Sequence, residues 1–203
     1  AYRRAFVDGL QHLVAALPAS VQRVVFVSSS AVYGDHDGAW VDETTPVAPM
    51  GFNGRILCEA EDWLAAQTVP SVALRLAGLY GPGRLQLLER LREGTAHAPR
   101  TPPHWANRMH IDDAAAAAAH LLMLPSPDAV YIGADDTPLP LHDLYGALAA
   151  QLGAPAVPEG PPPPRVGSKR LCNDRLKRSG FVLRWPDART GYAALNAAER
   201  DLG

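Results

Sequence analysis

Residues 24–34 read VVFVSSSAVYG. Val24, Val25, Phe26 and Val27 form an unbroken apolar run between Arg23 and Ser28. A run this short, without polar alternation, is the pattern of a strand buried on both faces. It ends in three hydroxyls, Ser28, Ser29 and Ser30, and then in Val32-Tyr33-Gly34. A strand needs no such cluster for its own stability, so its carboxyl end is where function is sought.

The flanking segments set the fold class. Residues 1–17 place Phe6, Leu10, Leu13, Val14 and Leu17 on one helical face. After a Gly-, Pro- and Asp-rich loop, residues 53–67 repeat the pattern with Ile56, Leu57, Ala60, Trp63 and Leu64. SVALRLAGLYG, residues 71–81, reads as one second buried strand. Helix, strand, helix, strand, with apolar strands throughout, predicts an α/β protein whose parallel sheet is covered on both faces. Further on, Asp112 or Asp113 is expected to cap an Ala-rich helix over 114–124, and AVYIG, 129–133, to form another strand. An amphipathic helix is expected over 141–153, a rigid exposed connector over 159–167, and a short helix capped by Asn173.

The 203 residues suffice for one sizeable domain, or one with a small lobe. Hydrophobic residues make up 47% and charged residues 20%, as in ordinary globular chains. The net charge of -2 gives no global field for nucleic acid or an acidic membrane. Cys58 and Cys172 lie far apart without CxxC spacing and read as reduced thiols. No apolar run reaches the ~18 residues of a membrane span, and residues 1–11 carry charge where a signal peptide would be apolar. A cytoplasmic location is expected.

Four segments, in this order, resemble the extended short-chain dehydrogenase/reductases, the NAD-dependent epimerase/dehydratases: VVFVSSSAVYG; DETTPVAP with a following helix that contains Glu61; LRLAGLYGPGR (74–84); and NRMHIDDAA (107–115). SKRLCNDRL (168–176) adds to the likeness. The resemblance implies the later part of a doubly wound Rossmann-like parallel sheet. Residues 1–83, with 111–133 returning, would form the partial NAD(P)-binding domain, and 84–110 with 134–203 a small substrate-binding lobe. It implies NAD or NADP as cofactor, a sugar or nucleotide-sugar substrate, and a homodimer through helices 1–17 and 53–67.

Two family features are absent. No GxxGxxG loop, which would hold the cofactor pyrophosphate, lies within the chain. The resemblance places it in a preceding unit of roughly 80 residues, whose removal or natural loss are the two readings. The family's acid/base is a Tyr with a Lys four residues on, and the ammonium lowers the phenol's pKa. The chain's two lysines, Lys169 and Lys177, do not follow a Tyr at that spacing. Aligned on Glu61, Asn53 takes the place of that Tyr and Leu57 of that Lys. The expected function is an atypical NAD(P)-dependent oxidoreductase or epimerase with a non-standard relay. The alternatives are a non-catalytic metabolite-binding protein or a remnant of the family.

The candidate residues follow from the resemblance. Ser29 takes the family's catalytic hydroxyl position, or satisfies the turn after the strand. Tyr33 is the nearest phenol, at the cleft mouth or packing a loop. Ser28, Asn53, Leu76, Ala77 and Gly78 are expected along the cofactor, with Asn53 alternatively a helix cap. Arg55, Arg84 and Arg108 are candidates for an anionic substrate, or for surface salt bridges. The pair Asp112 and Asp113 reads as a cap of the following helix and His110 as a structural, half-buried residue, and no metal is expected. The basic run Arg165, Lys169, Arg170, Arg175, Lys177 and Arg178 lacks interleaved aromatics, so a solvated face rather than nucleic-acid binding is expected.

Overall fold

The computed structural model describes residues 1–201. A π-helical turn, Arg4–Asp8, runs into α1 (Gly9–Ala16). β1 (Val24–Ser29) leads through a 3-10 turn, Ser30–Tyr33, to the short β2 (Trp40–Val41). α2 (Phe52–Ala65), β3 (Ser71–Leu76), β4 (Gly78–Tyr80) and α3 (Gln86–Arg92) follow. Then come β5 (Trp105–Ala106), β6 (Arg108–His110), α4 (Ile111–Met123) and β7 (Val130–Gly133). β8 (Leu139–Pro140), α5 (Leu141–Leu152), β9 (Arg170–Leu171), α6 (Asp174–Arg178) and α7 (Ala188–Asp201) complete the order.

The apolar strands pair as their pattern predicts. β1, β3 and β7 form a parallel sheet in that order, with Val24 opposite Ser71 and Leu76 opposite Gly133. Parallel neighbours need crossovers, and α2 supplies the one between β1 and β3. The expected strand over 71–81 is two strands. Ala77 donates to the Gly133 carbonyl at 2.8 Å, the last bond to the main sheet. Gly78 turns to the Asn107 carbonyl at 3.2 Å, and β4 pairs with β6. Both halves are apolar, so periodicity gave no sign of this switch of sheets.

The switch joins two cores. The first holds Val7, Leu10, Phe26, Leu57, Leu64, Leu74, Leu121 and Ile132. The second holds Leu88, Leu91, Leu144, Leu148 and Tyr192. Leu171, Leu176 and Phe181 join the first core, across the boundary expected at residue 134. Two edges of the main sheet differ. On β7, Glu43 accepts the Ile132 N–H at 2.9 Å and Arg175 donates to the Val130 carbonyl at 3.0 Å, so side chains cover the edge. On β1, the edge away from β3 has no strand partner among the described residues, and Val27 stands 48% exposed there.

Three caps differ from expectation. The α4 cap is His110, whose Nδ1 accepts the Asp112 N–H at 3.2 Å. Asp113 is buried and accepts the N–H groups of Arg184 and Trp185. Asn173 makes no side-chain cap on α6; its amide donates to the Ala134 carbonyl and the Asp136 carboxylate, both at 2.9 Å. α2 starts after Gly51, so Asn53 lies inside the helix. On the first helix, Leu13 points outward. No helix among the described residues is long and apolar enough to cross a membrane.

Candidate active site

β1, β3 and the sheet switch converge on one cleft of about 450 Å³. Ser29, Ser30 and Ala31 line it from the end of β1, Ala77 and Gly78 from the end of β3, and Asn53 from α2. The other wall comes from the second core and the connector: Arg90, His104–Arg108, Tyr145, Pro163, Arg165–Gly167 and Lys169. The ends of parallel strands point their unpaired backbone groups out of the sheet, so ligand clefts form there.

Ser29 satisfies the turn after the strand and stands at the cleft. Its Oγ accepts the Ala31 N–H at 3.2 Å, which caps the 3-10 turn, and its side lines the cleft. Asn53, Ala77, Gly78 and Arg108 also reach the cleft. A Cβ at Gly78 would stand 2.6 Å from Arg108 Nη1, the far end of a flexible side chain, and 3.2 Å from the Asn107 carbonyl oxygen. The remaining candidates lie elsewhere. Arg84 is exposed, and the exposed Arg55 donates to the Met50 carbonyl at 3.2 Å. Leu76 is buried beside the open edge of β1.

Ser28 and Tyr33 belong to a buried network. The Ser28 hydroxyl donates to the Glu61 carboxylate. Glu61 Oε2 accepts from Arg75 Nη2 at 2.6 Å and Nε at 3.0 Å. Arg75 Nη1 donates to the Tyr33 hydroxyl at 3.0 Å, and its guanidinium stands 5.0 Å from the Tyr33 ring centre. Burial works against the Arg75 cation, but its bonds to Glu61 outweigh that and raise its pKa. Burial likewise raises the Tyr33 pKa, against the lowering by Arg75. A proton-abstracting phenol needs the opposite shift. Tyr33 is completely buried and does not line the cleft. Arg75 is a lone charge inside an apolar strand, with Glu61 on the adjacent helix. That pattern is the sequence signal of a buried ion pair.

Lys169, expected from the sequence on a solvated basic face, is buried instead, and His104 was not among the residues drawn from the sequence. Lys169 is buried, and its Nζ donates to the Gly34 carbonyl at 2.8 Å and the Gly167 carbonyl at 3.3 Å. Burial lowers its pKa, with Asp35 opposing. The connector is tied down beside it: the Ser168 carbonyl accepts from His36 and Gly38, and Asp35 accepts the Ser168 N–H. Contact is close enough that a Cβ on Gly167 would lie 2.2 Å from the Gly34 carbonyl oxygen. His104 is 6% exposed, and burial lowers its pKa, with Asp35 raising and Lys169 lowering it.

The basic run of the sequence is not one patch. Arg165 and Lys169 enter the cleft, and Arg170 sits over the rings of Trp40 and Trp105. Arg175 lies 3.6 Å from Glu43, and Lys177 pairs with Asp136 at 3.0 Å. The cleft therefore collects Arg90, Arg108, Arg165 and Lys169 and has no Asp or Glu in its lining. None of the four has a carboxylate ion-pair partner among the described residues. No three His, Cys, Asp or Glu side chains converge on a metal site among those residues.

The comparisons with known proteins agree with this architecture. The model of the NAD dependent epimerase/dehydratase family matches residues 2–133. Protein YeeZ of Escherichia coli K12 is 34% identical over 201 residues, covering 90% of this chain. The chain spans 66% of the length of that curated relative. The structure of a putative NAD-dependent epimerase/dehydratase from Methylobacillus flagellatus superposes with a TM-score of 0.84 at 42% identity, over 98% of this chain and 72% of the other. UDP-glucose 4-epimerase of Thermus thermophilus, solved with NAD, superposes with a TM-score of 0.72 at 22% identity, over 85% of this chain and 62% of the other, and shares the fold. The strand order, the cleft at the strand ends and these matches together mean that the chain belongs to the NAD-dependent epimerase/dehydratase family.

Proposed function

We propose that the chain supplies the substrate cleft, and the nicotinamide-facing edge, of an NAD(P)-dependent oxidoreductase or epimerase. Its substrate is a sugar or nucleotide-sugar carrying phosphate. The observation that carries this reading is the cleft charge: Arg90, Arg108, Arg165 and Lys169 without one carboxylate. Four cations brought together unpaired repel one another, and an anionic ligand relieves that repulsion. Guanidinium groups also match phosphate oxygens two at a time.

The residues present fit one end of a dinucleotide. Ala77 and Ser29 offer small side chains and a hydroxyl at the strand ends, where a flat ring could lie close. A bound nicotinamide would accept or return hydride there. The chain holds no glycine-rich loop for the pyrophosphate, and the whole-protein activity is part of this proposal. The proposal includes the dimer through the first helix and α2, where Leu13 and Phe52 leave apolar surface exposed.

Trp105 lies in the cleft wall, so its fluorescence can follow binding. UDP-glucose should quench it saturably, and neutral glucose should not. The paired change Arg90→Ala and Arg165→Ala should weaken UDP-glucose about tenfold or more, since one charge-assisted bond is worth roughly 1.5–3 kcal/mol. Equal binding of glucose and UDP-glucose would sink the reading. A second reading, a binding protein without turnover, is favoured by Asn53 and Leu57 at the relay positions and by the commitment of the Tyr33 hydroxyl to Arg75. Saturable binding with no change in nicotinamide absorbance would select it.

A further inference from the structure

The cleft is rich in hydrogen-bond donors and poor in acceptors. Arg90, Arg108, Arg165 and Lys169 only donate, and the lining holds no carboxylate to accept. Phosphate oxygens suit such a wall, because they only accept. A sugar hydroxyl must also place its own proton, and a buried donor left without an acceptor weakens binding. The acceptors must therefore come from neutral side chains. Asn107 is already committed: its amide donates to the Lys169 carbonyl at 2.9 Å and accepts the Leu171 N–H at 2.8 Å. Tyr145 is not. It is the one tyrosine among the described residues that line the cleft. Leu141 and Tyr145 stand one turn apart on α5, and both border the cleft. Tyr145 is only 6% exposed. Its hydroxyl makes no hydrogen bond among the described residues, yet it is not one of the unpaired polar atoms sealed from solvent, as the Tyr80 hydroxyl is. The small exposed part of Tyr145 therefore includes the hydroxyl, and the solvent it borders is that of the cleft.

We propose that the Tyr145 hydroxyl binds the sugar part of the ligand, accepting a hydrogen bond from a hexosyl hydroxyl, and so favours a hexosyl nucleotide over the bare nucleotide. This inference rests on the anionic-ligand reading of the same cleft and adds a contact beyond the phosphates. The phenol suits the task in three ways. Its oxygen accepts while its own proton remains free to donate, which matches a hydroxyl that does both. Its ring is packed in the second core with Leu144 and Leu148, so little side-chain freedom is lost when the ligand arrives. It also stands on a different wall from the other uncharged groups. Ser30 at the end of β1 and Asn53 in the first turn of α2 line the strand-end side, and Tyr145 lines the side built by the second core. A sugar between the two walls is then held from both.

Tyr145→Phe keeps the ring and removes only the oxygen. The hydroxyl has no partner within the described protein, so the melting temperature should not change. Calorimetric titration should show UDP-glucose bound roughly two- to tenfold more weakly, the size of one neutral hydrogen bond. UDP carries the same nucleotide without the hexose, and it should bind the variant and the wild type alike. Each ligand is compared with itself, so the different charges of UDP and UDP-glucose drop out. Equal UDP-glucose affinity in the two proteins, or an equal loss for UDP, would overturn the assignment while leaving the anion cleft intact. A lower melting temperature would overturn it as well, because the hydroxyl would then serve a partner inside the protein. Absence of saturable UDP-glucose binding would overturn both readings.

Discussion

Replacing Glu61 by Gln is the sharpest perturbation of the interior. The change keeps the shape of the side chain and removes one charge. Both members of the Glu61–Arg75 pair are under a tenth exposed, so the remaining guanidinium has no water to turn to. Arg75 would keep its bond to Tyr33 and lose its anion. Breaking a buried pair from one side costs about 3–5 kcal/mol. For a chain of this size each kcal/mol moves the melting temperature by roughly 2–4 °C, so the expected fall is about 6–20 °C. The double change Glu61→Leu with Arg75→Met removes both charges, and it should recover most of the loss. Tyr33→Phe deletes only the bond from Arg75, worth roughly 1.5–3 kcal/mol. It should lower the melting temperature and leave UDP-glucose affinity unchanged. Thermal melts by circular dichroism, with calorimetric titrations alongside, read all four proteins. A stable Tyr33→Phe protein that no longer binds would refute the argument that this network is structural.

Two other outcomes are expected. Burial pushes the Asp135 carboxyl up to about 8, against the N–H bonds from Thr137 and Ala188. The native state therefore holds a proton that the unfolded chain releases near pH 4, and stability from this group falls as pH rises from about 4 to about 8. Denaturant midpoints across that range should drop in the wild type more steeply than in Asp135→Asn; parallel curves would contradict the shift. Gly167→Ala drives a methyl group into the Gly34 carbonyl and should lift the connector from the cleft. A loss of about 1–3 kcal/mol in stability is expected, with several-fold weaker UDP-glucose binding by calorimetry. Unchanged affinity would mean that the connector is no part of the site.

The fold was largely legible in the sequence because buried parallel strands announce themselves. VVFV and SVALRL need apolar residues on both faces, and each paired as read. The break at Ala77 was not legible, since β4 is as apolar as β3 and only its hydrogen-bond partners differ. The capping aspartates misled because three polar residues, His110, Asp112 and Asp113, compete for one helix start, and burial decides among them. In the candidate site, Ser29, Ala77, Gly78 and Arg108, at or near strand ends, and Asn53, in the first turn of α2, could be found by resemblance because each lies within a segment that resembles the family or directly beside one. Tyr33 could not be judged, because its partner Arg75 is 42 residues away in sequence. The place of Lys169 was hidden for the same reason: its ammonium meets the Gly34 carbonyl, 135 residues away in sequence.

The most direct measurement is a map of where the ligand lands. Amide spectra of the nitrogen-labelled protein, recorded during a UDP-glucose titration, report the backbone positions that carry an N–H. The account expects the largest shifts at Ser30, Gly78, Trp105, Arg108 and Lys169, the rim of the cationic cleft. Shifts confined to Asp37, Thr101 and Glu159, around the neighbouring cavity, would contradict it.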